Sequence, residues 1–426
     1  MVMKTSGNEE KIKVMWLCST PIPQVAKTCN LSETIHEGWL INVATELERM
    51  DTIAFNFVVL SAEATNEVQY FQNNGSVYVT VDTKKQTDEM AVRSFESILK
   101  KIQPDVIHIW GTEYKHSWLM TEAAKNTGYL EKVVVSMQGL VSMIAKHYMG
   151  GIPGKYQMIP SFRDILRKDT LKMQQENMAK RGEFEKATLK TVKHVIGRTF
   201  WDRACAKLVN PEICYHFNNE TLRETFYDSE WNYENCVKHS IFVSQSHYPI
   251  KGFHYLLEAI AILKERYEDV SVYVSGHNNA LKTGILSTGY GKYLQALMKK
   301  YKLNSCVHYV GMLSAEEMKQ RFLSTEVFVS PSVIENSPNS VGEAMLLGMP
   351  VVASNVGGVA DMLCHGKEGF LYQADAPYLL AHYISEFFDD QEKEKQFGTC
   401  ARIHAQKTHD KKENIQKLIE IYRSIR

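Results

Sequence analysis

The chain has 426 residues, 44% hydrophobic and 23% charged, which is enough for two or three globular domains. Lysine plus arginine balance aspartate plus glutamate at 49 each, which argues against a protein that wraps nucleic acid. Eight scattered cysteines make no CxxC pair and no zinc-ligand spacing, so free thiols in a reducing compartment are expected.

The opening MVMKTSGNEE lacks the apolar stretch of a signal peptide, and no run approaches the roughly 20 apolar residues of a membrane span. The expectation is a cytoplasmic protein, with the sequons at Asn30, Asn74 and Asn219 as chance matches. Apolar, β-branched runs predict strands at 13–18, 55–61, 76–81, 106–111, 133–137 and 194–197. A second series falls at 240–246, 270–275, 307–311, 327–330, 350–354 and 369–372. Continuous rather than alternating apolar strands, separated by amphipathic stretches, indicate parallel sheets covered on both faces. Two series predict two doubly wound α/β domains facing a central cleft, with ligands beyond the carboxyl ends of the strands.

The first strand leads to Ser19, Thr20 and Pro21, and His36, Glu37, Gly38 and Trp39 open a helix over 40–49. His108 sits inside an apolar strand, where a satisfied core histidine is the favoured reading. Glu113 lies past that strand's end, facing the expected cleft, and is a candidate for binding ligand hydroxyls there. Gln138 follows the next strand; it donates and accepts hydrogen bonds but cannot act as a base at neutral pH. Residues 161–207 carry a dense basic set, from Arg163, Arg167 and Lys168 to Arg203 and Lys207. A solvated helix face is the plain reading, and a surface that meets anionic lipid or a pyrophosphate-linked ligand is the functional one. Arg198, at a strand end, is a candidate to reach the cleft. The polar, aromatic stretch 210–236 shows no apolar period and marks the domain boundary.

The carboxyl half holds the densest signal. In SQSHYPIKG (244–252), Lys251 and Gly252 precede a helix whose core face is Phe253, Leu256, Leu257, Ile260 and Leu263. Ser275, Gly276, His277 and Asn278 follow one strand, and Gly311, Met312 and Leu313 the next. In SPSVIENSPNSVGEAMLLGMPVVASNVGG (330–358), a loop of Ser, Pro and Asn runs into a helix starting near Val341, with Ser340 able to cap it. Such a helix start offers free N–H groups and a favourable dipole to a phosphate. Glu335 and Glu343 flank this anion site, and a carboxylate accepts well from paired sugar hydroxyls. A diphosphate with hydroxylated rings at both ends suits that set. The structural alternative for Glu343 is a capping box, Ser340-x-x-Glu343.

The E-x7-E element of Glu335 and Glu343, with Pro338, Gly342, Gly357 and Gly358, resembles the retaining glycosyltransferases of GT-B family four. The resemblance is strong after residue 240 and weaker before it. It implies that Glu335 contacts the donor sugar, Glu343 the nucleotide ribose, and Lys251 the diphosphate. Asn336, Ser337, Pro338, Asn339, Ser340 and Val341 would hold diphosphate and sugar, Gly276 the nucleotide, and Met312 and Leu313 the base. Two positions depart from the pattern: Ser246 stands where many relatives carry an arginine, which would leave Arg198 or His247 to supply that charge, and Gln138 stands where many carry a histidine. Gly38 is a single glycine where relatives have a pair.

The implied domains are 1–235 (acceptor side), 236–405 (nucleotide-sugar side) and a C-terminal helix, 406–426, packing back on the first. The implied function is metal-independent, retaining transfer from a nucleotide-diphosphate sugar, UDP-sugar favoured over GDP-sugar, to a glycan or lipid-linked acceptor in surface polysaccharide or glycoconjugate synthesis. No cofactor, no metal and no nucleic acid partner is expected. Peripheral contact with the inner face of the plasma membrane is part of this reading. A non-catalytic subunit of the same fold and a sugar-nucleotide epimerase are the competing readings.

Overall fold

Strands buried on both faces must send alternate side chains into two different cores, and the first sheet does so from its first strand. Val14 and Trp16 enter one apolar cluster, whereas Met15 and Leu17 enter another on the opposite face. The computed structural model describes residues 11–32, 38–61, 63, 68–73, 75–278, 282 and 284–426.

The first sheet contains β1 (Ile12–Cys18), β2 (Ile53–Leu60), β3 (Gln69–Asn73), β4 (Ser76–Val81), β5 (Val106–Trp110), β6 (Val133–Ser136), β7 (His194–Gly197) and β8 (Cys214–Phe217). Their order is β3-β4-β2-β1-β5-β6-β7-β8. All neighbours are parallel except β3, which runs antiparallel to β4 at one edge. The second sheet contains β9 (Val237–Val243), β10 (Ser271–Ser275), β11 (Val307–Gly311), β12 (Thr325–Ser330), β13 (Val351–Ser354) and β14 (Phe370–Tyr372). It is parallel throughout, in the order β11-β10-β9-β12-β13-β14.

In each sheet the chain starts centrally, builds one side and then crosses to the other. The reversal lies between β1 and β5 in the first sheet and between β9 and β12 in the second. Crevices outside the carboxyl ends of such strand pairs are where open α/β sheets hold ligands.

Two segments cross between the halves. The helix Lys411–Ile425 starts at Asp410, whose side chain accepts from Glu413 N–H, and buries Ile415, Leu418, Ile419 and Tyr422 against the first sheet. Each such side chain contributes about 1.5–3 kcal/mol of burial. The Tyr422 hydroxyl accepts from Trp16 Nε1 at 2.9 Å and lies 2.6 Å from His108 Nδ1, while His108 Nε2 is 2.7 Å from the Ser136 hydroxyl. His108 is therefore a satisfied core residue, and burial pushes it down to about 3, so it stays neutral. In the other direction, Tyr148, Ile152 and Leu171 join the core of the second sheet. No helix among the described residues is long and apolar enough to cross a membrane.

Candidate functional site

Between the carboxyl ends of the two sheets lies a cleft of about 1020 Å³. Its second-sheet wall is built by backbone docking. Gly252 has φ +64, and a Cβ there would collide with the carbonyl oxygen of Pro331. The Ile250 carbonyl also accepts from Val333 N–H at 2.7 Å. Gly357, at φ +53, lies equally tight on the Glu335 carbonyl, which accepts from Gly358 N–H at 3.1 Å. Glycine is required where backbones approach this closely. The result fixes Lys251 next to Glu335, with Nζ 2.9 Å from Oε2. Burial pulls the Lys251 ammonium down, but the Glu335 carboxylate outweighs it, and the lysine ends above its ordinary value.

The helix Asn339–Leu347 begins two residues earlier than expected. Pro338 occupies its N-cap without a side-chain cap, and Val341 N–H already donates to the Pro338 carbonyl at 3.0 Å. The outward-facing N–H groups are thus those of Asn339 and Ser340, and Val341 is core. The capping box does not form. Glu343 is instead gripped by Arg223, Nε to Oε1 and Nη2 to Oε2, both at 2.6 Å. Burial raises Glu343, and Arg223 only partly offsets that rise. Arg223 also lies 4.7 Å over the Phe226 ring. Nothing in the polar stretch around Arg223 singles it out in the sequence.

From the first sheet, Gln138 Nε2 donates to Glu220 Oε1 at 2.7 Å, and Arg198 forms an ion pair with the same carboxylate. Burial raises Glu220, opposed by Arg198 and Gln138. Arg198 also donates to the carbonyls of Met137 and Gln138 at 3.4 Å each. Both Arg198 and Gln138 line the cleft, and Glu220, which sequence reasoning missed, holds them from behind it. The opposite end is lined by Gly276, His277, Met312 and Leu313, with the Gly276 N–H donating to the Gly311 carbonyl at 2.8 Å.

The structure therefore gathers Lys251, Glu335, Ser337, Pro338, Asn339, Ser340, Glu343, Gly276, Met312, Leu313, Gln138 and Arg198 along one cleft. Four expected residues lie elsewhere. Glu113 does not line the cleft; its carboxylate folds back over Gly111, 2.7 Å from where a Cβ on that glycine would stand. Ser246 is buried behind the wall. The Asn336 side chain turns into the first domain, accepting from the Thr199 hydroxyl at 2.9 Å and donating to Asp202 at 3.1 Å. Val341 is the fourth. His247 lines the cleft, but burial, then His277 and Lys251, push it down to about 4, so it supplies no cation at neutral pH. Gly38 begins the helix Gly38–Arg49, while His36 and Glu37 fall outside the described residues.

Comparison with known proteins agrees with the two-sheet fold. Residues 236–404 match the profile of Glycosyl transferases group 1. A D-inositol 3-phosphate glycosyltransferase from Corynebacterium urealyticum is 27% identical over 176 residues, 41% of each chain. The sulfoquinovosyl transferase SQD2 of Arabidopsis thaliana is 33% identical over 122 residues, 28% of this chain and 24% of its own. The match thus spans about two fifths or less of these curated relatives. Among solved structures, sucrose-phosphate synthase from Thermosynechococcus elongatus superposes with a TM-score of 0.68 at 14% identity, over 97% of this chain and 99% of that one. Anabaena HepE in complex with UDP and glucose superposes with a TM-score of 0.64 at 15% identity, over 97% and 100%. Residues 236–404 thus match the glycosyl transferases group 1 family, and the whole chain shares the two-domain GT-B fold of these solved structures.

Proposed function

We propose that the chain transfers a sugar, with retention of configuration and without a catalytic metal, from a nucleoside-diphosphate donor to a hydroxyl on a glycan or lipid-linked acceptor. One observation carries this reading: the start of Asn339–Leu347 opens into the cleft between two acid–cation pairs, Lys251 with Glu335 and Arg223 with Glu343. The diphosphate would accept from Asn339 and Ser340 N–H, with Lys251 moving from the carboxylate to the phosphate as charge develops there. Glu335 is then free to accept from sugar hydroxyls and Glu343 from the ribose. The acceptor oxygen bonds to the anomeric carbon, the bond to the diphosphate oxygen breaks, and the acceptor proton passes to that leaving oxygen. Gln138, held by Glu220, needs no basicity in this scheme. HepE, of the same fold, is described with UDP and glucose, which favours a UDP-sugar.

The acceptor end has its own support. Met158, Ile159, Phe162, Ile165 and Leu166 are all exposed on two short helices of the first domain, and Ile285 and Leu286 are exposed on a turn packed beside them. Asp164 accepts from Gly289 N–H at 2.6 Å and joins the two pieces. Exposed Lys155, Arg167, Lys168 and Lys172 surround them. An apolar face ringed by cations fits an anionic bilayer, which would bring the enzyme to a lipid-linked acceptor.

The test is a thermal-shift and hydrolysis panel with UDP, GDP, ADP and their sugars. Stabilisation by one nucleotide sugar with slow release of its nucleotide supports the reading; nucleotide binding with no turnover on any acceptor would indicate a non-catalytic member of the fold.

A further inference from the structure

Strand pairing at the free edge of the first sheet assembles three metal-ligand side chains that are scattered in sequence. β8 runs parallel to β7 with His194 opposite Cys214 and Ile196 opposite His216. Side chains alternate along a strand, so Cys214 and His216, two apart, share a face, and His194 is brought to the same face from β7. The ligand atoms of the three all lie within 4.8 Å of one another. The His194 Nδ1 and His216 Nε2 atoms are 3.0 Å apart, with the rings stacked. None of the three lines the donor cleft.

We propose that His194, Cys214 and His216 bind a zinc-type divalent ion at this edge, separate from the proposed transfer site. Two imidazoles and one thiolate are the donor set that a tetrahedral borderline-soft ion prefers, and water would complete the fourth position. The environment keeps the donors ready. His194 and His216 are partly buried with their rings stacked, so the two imidazoles are already held side by side. Cys214 is exposed, and it loses its proton to solvent as the metal–sulfur bond forms. The bound ion would clamp the edge strand β8 to β7, directly before the linker that carries Arg223 to the cleft. The bland alternative is a histidine–histidine hydrogen bond with a bystander thiol, and the two readings separate experimentally.

The full chain, stripped with chelator, is titrated with Co²⁺ and then with Zn²⁺ in competition. The expected result is one equivalent of Co²⁺ with tetrahedral visible bands and a thiolate charge-transfer band, released by Zn²⁺, with about one proton lost per metal. Cys214→Ser should abolish the charge-transfer band. Both Cys214→Ser and His216→Gln should weaken binding by more than about 100-fold, because even outer-shell partners of a ligand are worth about 10–100-fold. Their metal-free thermal midpoints should match wild type, which separates a lost ligand from a lost fold. Absence of binding to the wild type, or unchanged affinity and spectrum in both variants, overturns the site.

Discussion

Arg223 and Glu343 meet through two parallel bonds of 2.6 Å, joining the linker between the domains to the second turn of the helix that opens into the cleft. Glu343 is almost fully buried, so the arginine is what permits a carboxylate there. Arg223→Ala should therefore destabilise the fold by about 1–3 kcal/mol and weaken nucleotide binding, and Glu343→Ala should weaken nucleotide binding directly. The pair should couple by about 0.5–3 kcal/mol in a double-mutant cycle read by denaturant unfolding. Additive single losses would show that the contact contributes nothing of its own.

Lys251 and Glu335 should separate binding from turnover. Lys251→Ala is expected to reduce the turnover number by about 10²–10³, the scale of a lost charge-stabilising group. Glu335→Ala should spare affinity for the free nucleoside diphosphate but lower transfer. Calorimetry with nucleotide beside steady-state rates checks this, and wild-type transfer in either variant would refute the assignment.

Gly252 at φ +64, pressed on the Pro331 carbonyl, fixes the lysine's position through the backbone. Gly252→Ala should cost more than about 1 kcal/mol of stability and depress turnover although it removes no functional group. A variant of unchanged melting temperature and rate would show that the wall tolerates movement here.

Glu326 and Glu394 are buried side by side. Burial, then the neighbouring Glu326, raises Glu394 well above the carboxylate range. A carboxyl raised on folding binds more protons in the folded state, so its stabilisation is complete below about 4.5 and is lost as pH rises. Glu394→Gln should flatten that decline and raise stability at pH 8–9 relative to wild type by more than about 1 kcal/mol, checked by denaturant midpoints across pH. Parallel pH profiles would reject a Glu394 carboxyl that stays protonated in the folded state.

The apolar and basic face is checked by sedimentation with vesicles. Phe162→Ser combined with Leu166→Ser should abolish binding to anionic vesicles while leaving donor hydrolysis intact, and added salt should weaken wild-type binding. Equal sedimentation with neutral vesicles, or no change in the double variant, would remove the membrane reading.

Much of the fold was legible because central parallel strands are buried at every position and carry continuous apolar runs, as in residues 133–135 and 327–329. The edge strands β3 (QYFQN) and β8 (CYHF) escaped notice, since partly solvated edges carry no continuous apolar run. Along the cleft, Lys251 and Glu335 were legible because turn glycines and a helix start surround them. Arg223 and Glu220 were not: they lie in a linker with no period, and only tertiary folding brings them to Glu343 and Arg198. Glu113 failed for a local reason, because its side chain turned back over the backbone it follows.

The chain passes between the domains at the linker before β9 and again at His409–Asp410, and these two straps are tied together. His409 Nδ1 lies 2.8 Å from the Glu220 carbonyl, and the Tyr227 hydroxyl donates to the His409 carbonyl at 2.8 Å. Two adjoining straps behave as a door hinge rather than a swivel: they permit bending about their common line and resist torsion. Because Gly342 packs directly on His409, that pivot sits one residue from Glu343, so swinging the halves apart alters the spacing at the Glu343 end of the cleft least and at the far rim most.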